Sequence, residues 1–582
     1  MCLMRLCPLT APSVGTVLLP LLTLGAWFAS VSDRALRTAL YEAHHVDHKW
    51  HQAIEWYHYN NRNRSDAHVL GVSTYATLVT LVEGKASLDA LLSDPATASI
   101  DAFGVIGYKV DPDRGRALAI ALSIKSAMVT WQQGKMGYSK GMIASDVTFK
   151  IFKERGLDMM TFMSQDMAQI GKLFAMGPTT HQDTEAFTEA GDILAPFVNK
   201  LVNAIATGAL PGEWTEEVKT AIYAAYTVAV QSVPAAERDL APAALMSDEA
   251  NAINDGLAGS KLGVGVEVKK TDWPHVTRAV LKWVRSRDSG MINSSDARIT
   301  ELLTDLAFIH EIFEPRLRVH ALRMFMEKWD GKYAEHALYN YLNGQHLGRF
   351  FSRCDGPAGE ATDDCALECF HRILKSEGGF DTVEGMGTVV TRMNQVGRRI
   401  SRDITPCVEA PPVLAKTWKK AQELLGKGWA NLAFRMNASF VVPSEKLIGE
   451  LPASCDTIEK QRAHIKIWVK EYIALRKNPD SYYKLTDGSW DLDILNDYMF
   501  SFWSLSEIID HPKIEALREN GICFTCTCPQ FNHYHSCKHS VALALHLNKI
   551  KVPVRFSTQV VGKRKAPAGA SLSRRGHCLV ID

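Results

Sequence analysis

Three cysteines and a histidine lie within 14 positions near the end of the chain, as Cys526-Thr-Cys528-Pro-Gln-Phe and, after an intervening eight residues that begin at Pro529, Cys537-Lys-His539. Thiols are scarce elsewhere, with 12 cysteines in 582 residues, so the crowding asks for a chemical reason. Zinc supplies one. Zn²⁺ takes four tetrahedral ligands, at about 2.3 Å for Cys sulfur and about 2.0 Å for His nitrogen, and a closed Cys₃His shell is a structural site. In an extended segment residues i and i+2 point to one side, so Cys526 and Cys528 can grip the same ion. The second pair stands where Ser540-Val-Ala-Leu-Ala-Leu-His-Leu predicts an apolar helix. The alternative is a chance cluster of buried thiols or a disulfide knot, which a long chain without the disulfide density of small secreted scaffolds argues against. Cys523, His533 and His535 compete as ligands by proximity.

A second group of candidates is acidic. In Met142-Ile-Ala-Ser-Asp146-Val-Thr-Phe-Lys150 an apolar strand ends in an Asp, and in Ala244-Leu-Met-Ser-Asp248-Glu-Ala-Asn-Ala-Ile253 a short apolar strand delivers another that opens a helix. A third passage, Ala361-Thr-Asp-Asp-Cys-Ala-Leu-Glu368-Cys-Phe-His-Arg-Ile-Leu-Lys375, carries a helix start signal in Thr362, Asp363 and Asp364. Leu367, Phe370 and Leu374 share one apolar face at helical spacing, which places Glu368, His371, Arg372 and Lys375 on the opposite one. A carboxylate among cations on one helical face suits a phosphate-bearing substrate.

The Cys-x-Cys, Cys-x-His and apolar-helix pattern resembles the SWIM zinc finger of plant transposases and of relatives of the far-red impaired response regulators, and it selects Cys526, Cys528, Cys537 and His539 as ligands of a structural Zn²⁺. The three acidic passages resemble the transposases of Mutator-like elements over roughly residues 100–550. That resemblance implies a ribonuclease H-like fold with an Asp-Asp-Glu triad at Asp146, Asp248 and Glu368, holding two Mg²⁺ or Mn²⁺ ions. The family's Cys- or Asp-x-x-His motif is matched by Asp272-Trp-Pro-His275, whose histidine reads either as a DNA contact or lock near the second Asp or as a satisfied histidine of a helical insertion. His371, Arg372 and Lys375 are accessory candidates. The implied partner is DNA, at transposon ends and target, with room for a homo-oligomer, no small-molecule substrate and no membrane, in the nucleus. The resemblance also admits a domesticated derivative that binds DNA or protein through the finger and no longer cuts. A third reading, the finger as a protein-interaction or ubiquitin-pathway element, leaves the three acids without a role.

Length and composition are compatible with these readings. About 100–200 residues per domain divides 582 residues into three or four units. Hydrophobic content of 46% and charged content of 22% are ordinary for a globular chain, and a net charge of +1 confines any nucleic-acid surface to local patches. Gly397-Arg-Arg-Ile-Ser-Arg402 and a tail with Lys563-Arg-Lys565 and Arg574-Arg575 are such patches. Residues 7–32 carry no charge and 17–29 are mostly apolar, the outline of a signal peptide or weak anchor, or else of a buried element or a non-native start. No Cys/His spacing of a separate DNA-binding region occurs in residues 1–100, and His44, His45, His48 and His51 read as a solvated helix.

The expected architecture is α/β plus α, with a ribonuclease H-like catalytic core carrying a helical insertion, then a helical region and a small SWIM zinc finger. The segments are an apolar leader at 1–35, a mixed region at 36–138, the DDE domain at 139–400 with its insertion at about 276–360, a helical region at 401–505 with Trp418, Trp429, Trp468, Trp490 and Trp503 as core anchors, the finger at 506–550 and a basic tail at 551–582. Strands are predicted within 101–110, 141–150, 157–163, 170–176, 243–247 and 264–268, and a helix from Thr184.

Overall fold

The computed structural model describes residues 72–136, 141–148, 151–152, 157–165, 171–247, 251–284, 297–312, 315–329, 341–342, 365–376, 385–405, 413–436, 439–477, 491–509, 514–534 and 536–553. The chain divides into two compact units, Met1–Tyr75 with Pro112–Gly115 and Ala76–Asp111 with Arg116–Asp582. The second holds nearly all described residues. Residues 7–32, the four N-terminal histidines, Trp490 and the basic tail from residue 554 onward lie outside them.

The second unit is built on a mixed seven-stranded sheet in the order β1-β2-β5-β4-β3-β6-β7. Its strands are β1 (Phe103–Asp111), β2 (Arg116–Ser123), β3 (Met142–Thr148), β4 (Asp158–Gln165), β5 (Gly171–Thr179), β6 (Ala244–Ser247) and β7 (Val268–Thr271). β3, β4 and β5 form an antiparallel meander, whereas β6 runs parallel to β3 and β7 parallel to β6. β6 is reached through the helices Thr184–Thr207 and Glu216–Gln231, and β7 through Asn251–Gly259. β3 and β4 are buried on both faces, which is why they read as apolar runs rather than as alternating ones.

One strand has no counterpart among the sequence expectations, and one local reading changes. Arg116-Ala-Leu-Ala-Ile-Ala-Leu-Ser is helix-favouring by composition, yet it is β2, because pairing with β1 and β5 buries it on both faces. The strand expected at 264–268 begins only at Val268. A 3₁₀ turn at Lys261–Gly263 and Gly265 at φ 89° occupy the preceding residues and leave Val264 exposed.

Asp183 caps the long helix Thr184–Thr207, accepting from Ala186 N at 3.0 Å while both its oxygens accept from Arg116 at 2.7 Å. Burial alone would raise its pKa, but the Arg116 guanidinium outweighs that and holds the carboxyl below the usual range. A depressed folded-state pKa means that this stabilisation is present above the ordinary carboxylate pKa and is lost as pH falls through the folded one. Asp183→Ala is expected to cost about 1–2 kcal/mol at neutral pH, and denaturant unfolding shows it as a lowered midpoint with unchanged slope.

Helix Met386–Asp403 lies on β1 and β2 and carries the basic run. Gly397, Ile400 and Ser401 face inward, and Ser123 Oγ donates to Ser401 Oγ at 2.8 Å. Arg398, Arg399 and Arg402 are exposed. A Cβ on Gly397 would fall 2.3 Å from Cγ of Phe103, so Gly397→Ala is expected to destabilise by overpacking, about 1–3 kcal/mol in thermal or urea melts.

Helices Trp273–Val284, Ala297–Glu311 and Pro315–Glu327 form a separate apolar core around Val280, Leu302, Phe325 and Trp329, as the helical pattern of the insertion predicts. Leu492 and Leu495, on helix Leu492–Met499, pack into that same core. Beneath it sits a polar knot in which Lys328 contacts Glu301, Asp305 and Asp493, while Trp329 donates to Asp305.

Residues 410–510 are less purely helical than expected. Alongside helices Ala415–Gly426 and Ile458–Lys477 they contain β8 (Phe434–Met436), β9 (Ser439–Pro443) and β10 (Phe502–Glu507). With β11 (Phe524–Cys526) these make an antiparallel sheet in the order β11-β10-β9-β8. Trp418 and Trp429 are buried and Trp503 half-buried against this core, but Trp468 is 38% exposed and anchors nothing. Among the described residues no helix is long and apolar enough to cross a membrane.

Candidate functional site

The Cys₃His group, which could hold a metal ion, is assembled from three elements. Cys526 ends β11, pinned opposite Leu505 of β10, and Thr527 donates from its backbone to Ser504 O at 3.0 Å. Cys528 follows directly, before the short helix Pro529–Tyr534. Cys537 caps helix Lys538–His546, its sulfur accepting from Ser540 N at 3.3 Å, and His539 stands in the first turn. All four are buried, and their ligand atoms lie within 4.8 Å of one another. A tetrahedral Zn²⁺ shell has edges of about 3.8 Å, so small adjustments close it. Trp429 and Trp503 lie against His539, with ring centroids 5.3 Å and 5.7 Å away.

The chemistry of the donors fits a cation. Burial, reinforced by the neighbouring sulfurs, pushes the Cys526 thiol well above the ordinary range, and burial does the same to Cys528. Cys537 is just as buried, but interactions with Cys526, Cys528 and His539 outweigh that effect and draw it well below. Three thiolates can share this pocket only around a positive ion. Cys523 is buried three residues upstream of Cys526 and does not join the group, while His535 and the His533 side chain lie outside the described residues.

Of the acidic candidates, Asp146 lies near the carboxyl ends of the parallel strands and Glu368 is tied by a side-chain contact to the helix that follows β7. Asp146 stands toward that end of β3, its side chain 22% exposed, with Val147 N donating to Oδ1 at 2.7 Å. Ser145 pairs with Ser247 of β6, which pairs with Thr271 of β7, so β6 and β7 finish side by side while β3 runs on to Thr148. Asp248 follows Ser247 in sequence but lies outside the described residues. Asp272 follows β7, is fully buried, and donates its backbone N–H to Ser247 O at 2.9 Å.

From Asp272 a chain of polar side chains runs to Glu368, on the helix that also carries the histidine facing Asp146. The Asp272 carboxylate accepts from His275 N at 3.0 Å, capping helix Trp273–Val284, and also contacts His275 Nδ1. One turn on, Arg278 lies 3.4 Å from His275 Nδ1 and donates to Glu368 Oε1 at 3.1 Å. Glu368 is on helix Cys365–Ser376, whose Leu367, Phe370 and Leu374 are buried as expected. Three residues beyond Glu368, His371 Nδ1 lies 3.3 Å from Asp146 Oδ2.

Asp272, His275, Arg278 and Glu368 are therefore linked through space, as are His371 and Asp146, and helix Cys365–Ser376 carries a member of each group. His371 is not on an open polar face: it is buried beneath the helix. Arg372 is exposed and turns to Cys369 Sγ at 3.2 Å, and Lys375 is half-buried. Arg278 was not anticipated; its signal is the i+3 spacing from His275 on one helix. Among the described residues the Cys₃His cluster alone brings three or more metal-ligating groups within ligand reach.

No model of a known protein family matches the chain, and no curated protein matches it.

Proposed function

We propose that this protein is a DNA-acting transposase of Mutator-like type, with a ribonuclease H-like core and a structural zinc in a SWIM-type finger, that cuts strands and joins 3′ ends. The observation carrying this reading is that one helix brings His371 against Asp146 of β3 and Glu368 to Arg278, one turn from the Asp272–His275 pair that follows β7. In open α/β sheets the carboxyl ends of the strands are where ligands bind. The order β5-β4-β3-β6-β7, an antiparallel meander followed by two strands parallel to its first, is the arrangement expected of a ribonuclease H-like core, to which β1 and β2 add a hairpin at one edge.

The donor set favours a hard cation such as Mg²⁺ or Mn²⁺: Asp146 is partly exposed, Glu368 sits one helical turn from the histidine that touches it, and Asp248 adjoins β6 in sequence. Bound there, such ions would activate a water and stabilise the leaving oxygen of an in-line displacement at phosphorus. The protein's own groups orient: Arg278 steers the Glu368 carboxylate, and Asp272 fixes His275 at the helix start. The exposed Arg398, Arg399 and Arg402 offer a local positive surface for the DNA backbone, which a chain of net charge +1 needs.

One observation favours the domesticated alternative, a zinc-finger regulator that binds DNA or protein without cutting. Glu368 is ion-paired with Arg278, and Asp146 faces His371, so both acids are engaged by protein groups. The two readings separate in one assay, metal-dependent nicking and strand transfer on DNA by wild type, Asp146→Ala, Asp248→Ala and Glu368→Ala. Activity in wild type that each substitution abolishes supports the transposase; inactivity in all four proteins, with DNA binding retained, supports the regulator.

A further inference from the structure

His371 is a buried imidazole that the chemistry above does not use. It is 7% exposed, packed beside Phe370 on the buried side of helix Cys365–Ser376. Its Nδ1 lies 3.3 Å from Asp146 Oδ2, but its Nε2 is buried and meets no hydrogen-bonding partner among the described residues. A second orphan stands close by. Thr161 of β4 is directly opposite Asp146 in the antiparallel register, where side chains share one face, and its fully buried Oγ1 also meets no partner among the described residues. Buried polar atoms are nearly always satisfied, and an unsatisfied one points to a water, an ion or a catalytic role. A site serving packing alone would carry apolar side chains at both positions.

We propose that His371 is a positioning residue for Asp146. One ring nitrogen clasps the carboxylate and so ties the helix bearing Glu368 to the strand bearing Asp146, while the other, with Thr161, is kept for a water oxygen beside the carboxylate. The inference rests on reading Asp146 as a cation-binding acid. A carboxylate on one nitrogen of an imidazole orients the ring so that its other nitrogen is presented to an incoming group, the usual device for fixing site geometry.

The test uses the full chain and Mn²⁺ alone as probe, with binding followed by the electron paramagnetic resonance of free Mn²⁺. His371→Leu is expected to weaken Mn²⁺ binding at least tenfold, and His371→Asn, which keeps a nitrogen near the Nδ1 position, to stay within about threefold of wild type. Thr161→Val is expected to weaken binding two- to fivefold without lowering the melting temperature, and it carries the test should His371→Leu fail to fold. A denaturant double-mutant cycle on Asp146→Ala and His371→Ala, each of which removes the contact, reads the clasp independently in metal-free buffer, and non-additive midpoints are expected. Wild-type Mn²⁺ affinity in both His371→Leu and Thr161→Val overturns the positioning role, and additive midpoints overturn the clasp. Wild-type protein that binds no Mn²⁺ while the cycle stays non-additive overturns the reading of Asp146 and the water-holding role, and leaves the clasp standing.

Discussion

Cys528→Ser is expected to release one equivalent of zinc and to unfold the module around it. Structural zinc binds small finger peptides with about 10–16 kcal/mol of apparent free energy, and that energy is folding energy. This module has an apolar core of its own, including Trp418, Trp429, Phe524, Phe531 and Leu543, and so keeps part of its stability. Losing even a quarter of the metal's contribution, about 2.5–4 kcal/mol, is a large share of what holds a domain together. Zinc content measured on purified protein, with circular dichroism melts, decides it: one retained equivalent and an unchanged melt would remove Cys528 from the ligand set. Cys523→Ser, outside the cluster, is the control and should keep its zinc. Zinc affinity should fall as pH falls, because protons compete for the same sulfurs that burial already makes hard to ionise.

The second large effect concerns the acids. If the transposase reading holds, Asp146→Ala should reduce metal-dependent nicking by at least about 10³-fold, since a cation's stabilisation of the transition state amounts to several kcal/mol and each 1.36 kcal/mol is a factor of ten. Glu368→Ala should match it. Arg278→Ala separates structure from chemistry: its pair with Glu368 is about half exposed on both sides, so stability should change little, as such pairs contribute about 0–1 kcal/mol. A nicking rate in Asp146→Ala equal to wild type would sink the triad.

Much of the metal cluster was legible because its information is local. Cys526, Cys528, Cys537 and His539 lie close in sequence, and a strand end and a helix start are enough to bring them together. The strands of the meander were legible for a similar reason, as turn-bounded apolar runs. What pairing decides was not: β2 has an Ala- and Leu-rich composition that gives no strand signal until β1 and β5 are beside it, and the strands β8, β9 and β10 are too short to outweigh the helices around them. The same limit applies to the acidic end of the sheet. Helical spacing put His371 with Glu368, Arg372 and Lys375, because a helical wheel knows one buried face; the sheet beneath supplies Asp146, which turns a buried histidine into a polar contact. Arg278 and Glu368 are 90 residues apart, beyond the reach of any local pattern.

The helix Leu492–Met499 leads straight into β10, so the chain passes from the core of the helical insertion to the strand that pins Cys526 with almost no slack. β10 in turn needs β9, and Trp429 against His539 donates to Pro443 O at 3.0 Å. A fragment beginning at residue 506 would leave behind most of β10, all of β9 and both tryptophans that pack on the histidine. The four ligands thus look portable in sequence but are not a cassette: recombination that moved them to another protein would have to carry the stretch from about 413 onward, and drift in that preceding stretch can disable the zinc site while every ligand codon stays intact.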